Sequence, residues 1–330
     1  MASPCQPDDQ PQGVKLGTKS GFIFPSPYWL IEEPPFDVRA IPHDDFFEEL
    51  HSWTTDHGIT VSAHRGGAIM FDFSGFSEAG WSEEDGLNHI SSLIEATQAR
   101  VKIINAFSLS LHSARATSEN LATDVFHIGP RSLFHIYSGD VASGMGGDGL
   151  RYLPQPVAGG YIRDLYRHGV VRKSSLDLAV DTLNFIIGHE CNNSLDLAGL
   201  LNDSLNSYRN HEFAPSLITA WTICETLLQR QWDSYIAARG VKGRSRRDKL
   251  TGRDFTASIV SEVLNLAEVI DADSLASLDR VRKARNAWMH SIKNPTHGDA
   301  AAAIELAGSM FSSALGREIL AIPITAAAGV

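Results

Sequence analysis

Cysteine is scarce in this chain of 330 residues: three, Cys5, Cys191 and Cys224, an odd number with no Cys-x-x-Cys spacing. A disulfide framework and a cysteine-rich zinc site are therefore not expected, and a reducing compartment is the default. Long apolar runs are also missing, since no window reaches about 18 uninterrupted apolar residues. The stretch from Met1 to Gln12, with Pro4, Asp8, Asp9 and Pro11, has neither a basic start nor an apolar core. Neither membrane insertion nor secretion is expected, and the location that follows is cytoplasmic. Positive charge is in short supply too. A net charge of −11 argues against nucleic-acid binding by the whole surface.

Metal-ligand and phosphate-loop patterns are thin. His51, His57 and His64 have the spacing of no tight helical or hairpin metal pair, and His189-Glu190-Cys191 has no partner cluster. Ser143-Gly-Met-Gly-Gly-Asp-Gly149 lacks the Lys-Ser/Thr ending of a phosphate loop and reads as a flexible linker. No metal and no cofactor are expected, and no tandem repeat is visible.

What the chain does have is enough apolar sequence, 43% of its residues, for two modest cores. Residues 35–42, 58–73 and 123–137 are rich in Ile, Val, Phe and His. Gly66-Gly67 and Gly129-Pro130 interrupt two of them, so they read as hairpins. Leu87 to Ala116 carries apolar residues at helical spacing. After the Gly- and Pro-rich stretch from Ser143 to Gly160, helical patterns take over, at 176–187, 195–208, 216–238, 257–270, 274–291 and 300–315. The expected organisation is an N-terminal tail over 1–20, an α+β domain over 21–160, a helical bundle over 161–320 and a C-terminal tail over 321–330.

Two features carry chemistry. The first is Arg285-Asn286-x-x-x-His290, in a helical pattern with Asp271 to Ser274 as candidate caps and Asn294-Pro295 as the stop. Arg can grip a phosphodiester through its planar fork, and His can carry a proton near neutral pH. Five residues turn a straight helix by about 500°, which leaves Arg285 and His290 about 140° apart. A bend, a helix end or a second chain is needed to bring them together. Asn286, four residues before His290, is placed to hydrogen-bond the ring. Arg163 to His168 repeats the spacing, but glycines flank it and it reads as a polar turn.

The second feature is basic. Arg239, Lys242, Arg244, Arg246, Arg247, Lys249 and Arg253 face the single acid Asp248, a net +6 that leaves −17 for the rest of the chain. Gly240, Gly243 and Gly252 argue against an ordinary helix there. The stretch reads either as a solvated loop or as an electrostatic guide for a phosphate backbone. Arg280, Arg282, Lys283 and Lys293 add cations around the motif. Trp221, Trp232 and Trp288 stand at periodic helix positions and read as core rather than as base-stacking platforms.

Residues from about Ser194 to Leu315 resemble a HEPN domain, closest to its ApeA-like branch. The matching features are Leu217-Ile-x-x-Trp-x-x-x-Glu225-x-Leu-Leu, an intervening basic loop, and the later Arg285-Asn286-x-x-x-His290. Ser291 stands where relatives often have Gly. The resemblance implies an all-α bundle and a metal-independent endoribonuclease, a toxin or antiviral effector that works as a homodimer with two motifs juxtaposed. It also implies that Glu225 is a carboxylate facing the site and pairing Arg285; a surface role for Glu225 is the alternative. The expected partners are RNA, a second copy and a regulatory protein or phage-derived trigger acting on the N-terminal domain. An inactive scaffold, or a nucleotide- or tRNA-binding protein, stays open beside the enzyme.

Overall fold

A computed structural model describes residues 16–23, 29–30, 40–42, 48–65, 67–76, 90–119, 127–129, 134–137, 141–144, 156–157, 161–163, 169–190, 193–252 and 255–323. An α+β region comes first and a helical region follows. By spatial clustering the chain forms two compact units, one of residues 1–104 and 128–173, the other of residues 105–127 and 174–330.

In the first unit, six strands form an antiparallel sheet in the order β4-β5-β6-β1-β7-β8: β1 (Leu16–Ile23), β4 (Glu49–Thr54), β5 (Thr60–His64), β6 (Ala68–Asp72), β7 (Phe134–Tyr137) and β8 (Val141–Gly144). β3 (Ala40–Pro42), β10 (Tyr161–Arg163) and β9 (Pro156–Val157) form a second sheet. β11 (Gly169–Val170) pairs in parallel with β2 (Trp29–Leu30). Val61, Ala63, Ile69 and Phe71 are fully buried. Arg100, almost fully buried, donates from Nη1 to Ser20 Oγ at 2.7 Å and lies 5.3 Å from the centre of the Phe73 ring. Gly58 and Gly75 let two backbone segments meet, since a Cβ on Gly58 would stand 2.3 Å from the Gly75 carbonyl oxygen.

Several expectations for this region are corrected. Residues 16–20 belong to β1, held between β6 and β7, and not to an N-terminal tail. The hairpin over 58–73 is β5 and β6, whereas β7 pairs with β1 and β8 and residues 127–129 are not strand. Residues 35–42 form no hairpin among the described residues, because β3 pairs with the distant β10. That pairing, and β11 with β2, keeps residues 156–170 with the sheets, so the units part near residue 173 and not at 160.

Helix α1 (Ile90–Ser118) contributes its residues from Asn105 onward to the second unit. There follow α2 (Lys173–Gly188), α3 (Ser194–Arg209), α4 (Phe213–Ala238), α5 (Arg244–Leu250), α6 (Ala257–Leu266), α7 (Ala272–Ser291) and α8 (His297–Leu315). Helix α4 is the hub, packing on α3, α6, α7 and α8 through Leu217, Ala220, Ile223 and Leu227 among its buried residues. Arg115 and Glu119 form a buried ion pair at the end of α1, and Ser175 Oγ on α2 donates to Glu119 Oε1, joining the two. The expected C-terminal tail does not begin at 321, because the Leu320 and Ile322 amides donate to Ser113 Oγ and His112 Nε2 on α1.

Candidate functional site

Helix α7 positions the motif. Asp271 caps its start by accepting from the Ser274 amide at 2.6 Å, and Ile292 ends it in the left-handed conformation, φ 51°, two residues before Asn294-Pro295. Leu278 and Val281 form its buried stripe, each worth about 1.5–3 kcal/mol for a fully buried apolar side chain. Arg285 follows at seven and four residues from them, so it lies on this stripe and is half-buried. His290 is exposed. The helix continues without interruption from Arg285 to Ser291, so the separation of about 140° stands. Within one chain the cation and the proton carrier look in different directions.

The roles expected for two neighbours change. Asn286 Oδ1 accepts a hydrogen bond from Arg285 Nη1 at 3.0 Å, and no hydrogen bond joins Asn286 to His290 among the described residues. The reason is proximity: the guanidinium is the adjacent charged donor, and hydrogen bonds to charged groups are the stronger ones. Glu225 is exposed on α4 and makes no ion pair with Arg285, so of the two readings for it the surface one fits. Beside it, Cys224 is fully buried, and burial pushes its thiol up to about 12, which removes it as a nucleophile near neutral pH.

A groove of about 520 Å³ runs along the other side of α7. Ala276, Ala284 and Ala287 leave its floor nearly free of side chains. Arg280 and Lys283 rise from the same helix, while Lys293, Asn294 and Pro295 overhang from the turn into α8. The Lys293 amide, bonded to the Ala287 carbonyl at 3.3 Å, holds that turn against the helix end. His290 lies three residues past Ala287, about 60° around the helix and about 4.5 Å further along it, and is not itself among the residues that line the groove. Three of the cations singled out around the motif, Arg280, Lys283 and Lys293, are gathered there.

Two carboxylates temper this charge. Asp279 accepts from Lys283 at 2.5 Å and from Arg282 at 2.6 Å, and those two hydrogen bonds hold its carboxyl below the usual range. Asp299 forms a capping box with Thr296 at the start of α8. Burial pushes its carboxyl up, but the Thr296 bonds and the charges of Arg280 and Lys293 outweigh this and bring it down.

The basic segment is more ordered than a loop. Arg244, Arg246, Arg247 and Lys249 stand exposed on α5, which Gly243, at φ 100°, allows to begin just after a turn. The glycines bound the helix rather than prevent it. Trp232 Nε1 donates to the Leu250 carbonyl at 2.8 Å, and its ring stacks against Tyr235 and Phe255, so the end of α5 is pinned to α4. Arg239 lies over the Tyr235 ring at 5.0 Å, Lys242 is exposed, and Arg253 lies outside the described residues. Trp221 and Trp232 are buried and Trp288 half-buried. Arg163 ends β10, while 164–168 and 145–149 lie outside the described residues.

The sequence reading missed the groove and Asn294. A signal for the floor was present, because positions 276, 280, 283, 284 and 287 share one helix face and three of them are alanine. The overhang depends on the left-handed Ile292, which a β-branched residue does not announce. Comparison with protein-family models, with curated proteins and with solved structures finds no match to this chain.

Proposed function

We propose that this protein is a metal-independent endoribonuclease of the HEPN type, acting in the cytoplasm as a homodimer with RNA as its substrate. The observation that carries this reading is the exposed His290, three residues past Ala287 of a cation-lined groove, on the helix that also bears Arg285. The RNA 2′-hydroxyl attacks the adjacent phosphorus as a base takes its proton. The P–O5′ bond breaks, the leaving 5′-oxygen gains a proton, and a 2′,3′-cyclic phosphate remains. His290 serves as one proton carrier and Arg285 stabilises the charge on the phosphorane. Water carries the proton of the other transfer. A second copy supplies what the helix geometry withholds, an Arg285 opposite a His290, so each of the two composite clefts of a dimer takes its cation from one protomer and its imidazole from the other. Exposed Met289 and Ile292 flank His290 and give such a partner apolar surface to cover.

The α+β unit then senses, targets or restrains the helical one, with a regulatory protein or phage-derived trigger as its partner. Incubation of the purified chain with RNA in excess chelator is the test. Cleavage to 2′,3′-cyclic phosphate ends, abolished by His290→Ala and by Arg285→Ala at unchanged melting temperature, is the expected result; full cleavage by His290→Ala contradicts it. A second reading, an RNA- or nucleotide-binding module without cleavage, is favoured by one observation, the opposed directions of Arg285 and His290.

A further inference from the structure

We propose that the α7 groove is a subsite for the nucleotide next to the scissile bond, and that Asn294 reads its base. The proposal rests on the RNA reading for its natural ligand and on the groove itself for its chemistry. At about 520 Å³ the space falls within the range of about 300–1,000 Å³ typical of small-ligand clefts. Its floor is apolar because Ala276, Ala284 and Ala287 carry only methyl groups. A flat base can lie there at low cost, whereas a charged peptide would leave polar groups unmatched. Asn294, with an amide donor and a carbonyl acceptor, is the residue in the overhang equipped to address the edge of a base.

The rim favours a phosphate. Arg280 spends one donor on the Gly298 carbonyl at 3.2 Å and keeps others from its five. Lys293 is exposed at the mouth. Both acids share the lining, Asp279 paired with Lys283 and Arg282, and Asp299 in the Thr296 capping box within the field of Arg280 and Lys293. Three cations, Arg280, Lys283 and Lys293, against these two acids leave the lining net positive in a chain of net −11, and Arg280 and Lys293 are the cations not tied up in an ion pair with Asp279. A nucleotide so placed has its phosphate toward the His290 end or away from it, and in either case its base must leave the stack to reach the alanine floor. RNA that is single-stranded at the cut fits; a continuous duplex does not.

The test uses the full chain with His290→Ala, so that binding is read without cleavage. Calorimetric titration with 3′-nucleoside monophosphates, with the matching nucleosides and with inorganic phosphate separates base from anion. A 3′-nucleotide should bind more tightly than either fragment. Ala287→Trp, which fills the floor, should abolish its binding, Lys293→Ala should weaken it about tenfold, and Asn294→Ala should level the affinities among the four bases. Unchanged 3′-nucleotide affinity in both the Ala287→Trp and Lys293→Glu chains overturns the subsite, and the exposed Lys293 covers the case in which Ala287→Trp fails to fold. Equal binding of phosphate and nucleotide overturns it as well, by leaving an anion site only. The cleavage arm keeps the two readings apart. If the chain cuts no RNA while Ala287→Trp still loses nucleotide binding, the nuclease falls and the subsite stands. If the chain with histidine intact cuts single-stranded RNA with the same KM after Ala287→Trp, the subsite falls and the nuclease stands.

Discussion

Arg285 and His290 stand on one helix in different environments: Arg285 is half-buried on the stripe of Leu278 and Val281, while His290 is exposed near the helix end. A second histidine gives the chain a pH dependence unconnected with cleavage. His127 Nδ1 donates to Asp203 Oδ1 on α3 at 2.5 Å, and this hydrogen bond, opposed by burial and aided by the carboxylate's charge, raises the imidazole above its ordinary 6.5. A raised value means that the folded state favours the protonated ring. The stabilisation is therefore complete below about 6.5 and is lost as pH rises through the folded value. Because both side chains are about 40% exposed, screening should limit the effect to within about 1 kcal/mol. Denaturant unfolding of wild type and Asp203→Asn should show a gap at pH 6 that closes by pH 9. A gap that widens toward pH 9 would contradict the pairing.

At the scale of elements, helices were read from sequence to within a few residues. Their apolar spacing is decided locally and then reinforced by caps such as Asp271 and Thr296. Strand partners were not readable, because β1 with β7 and β3 with β10 are joined by pairings across more than a hundred residues, which no local pattern encodes. The basic segment differs for another reason. Its glycines signal helix breaks throughout 239–253, yet Gly243 starts a helix whose far end is held by Trp232, a contact made by a residue outside the segment. Four exposed cations on a pinned helix form a better electrostatic guide than a free loop, since less ordering is lost on binding. Replacing Arg244, Arg246, Arg247 and Lys249 with Ser should weaken RNA binding across sequences. The salt dependence should flatten by about one log-log unit per lost phosphate contact, with saturated single-turnover cleavage changing far less. Unchanged affinity and salt slope in filter binding at several salt concentrations would assign α5 to another role.

A chain of net −11 gathers cations on α5, at the end of α4 and around the α7 groove, a distribution suited to focusing one polyanion onto one unit. No helix among the described residues is long and apolar enough to cross a membrane. The half-buried Arg285 and exposed His290 can serve one phosphate only if one protomer supplies the cation and its partner the imidazole. Complementation tests this directly. Arg285→Ala and His290→Ala chains, each inactive alone, are mixed in equal amounts, allowed to exchange subunits and assayed for RNA cleavage. Half of the dimers are then mixed and each of these has one intact composite site of two, so the account predicts recovery of about a quarter of wild-type activity. Wild-type dimers with mixtures that stay as inactive as their components, after exchange has been verified, would contradict it.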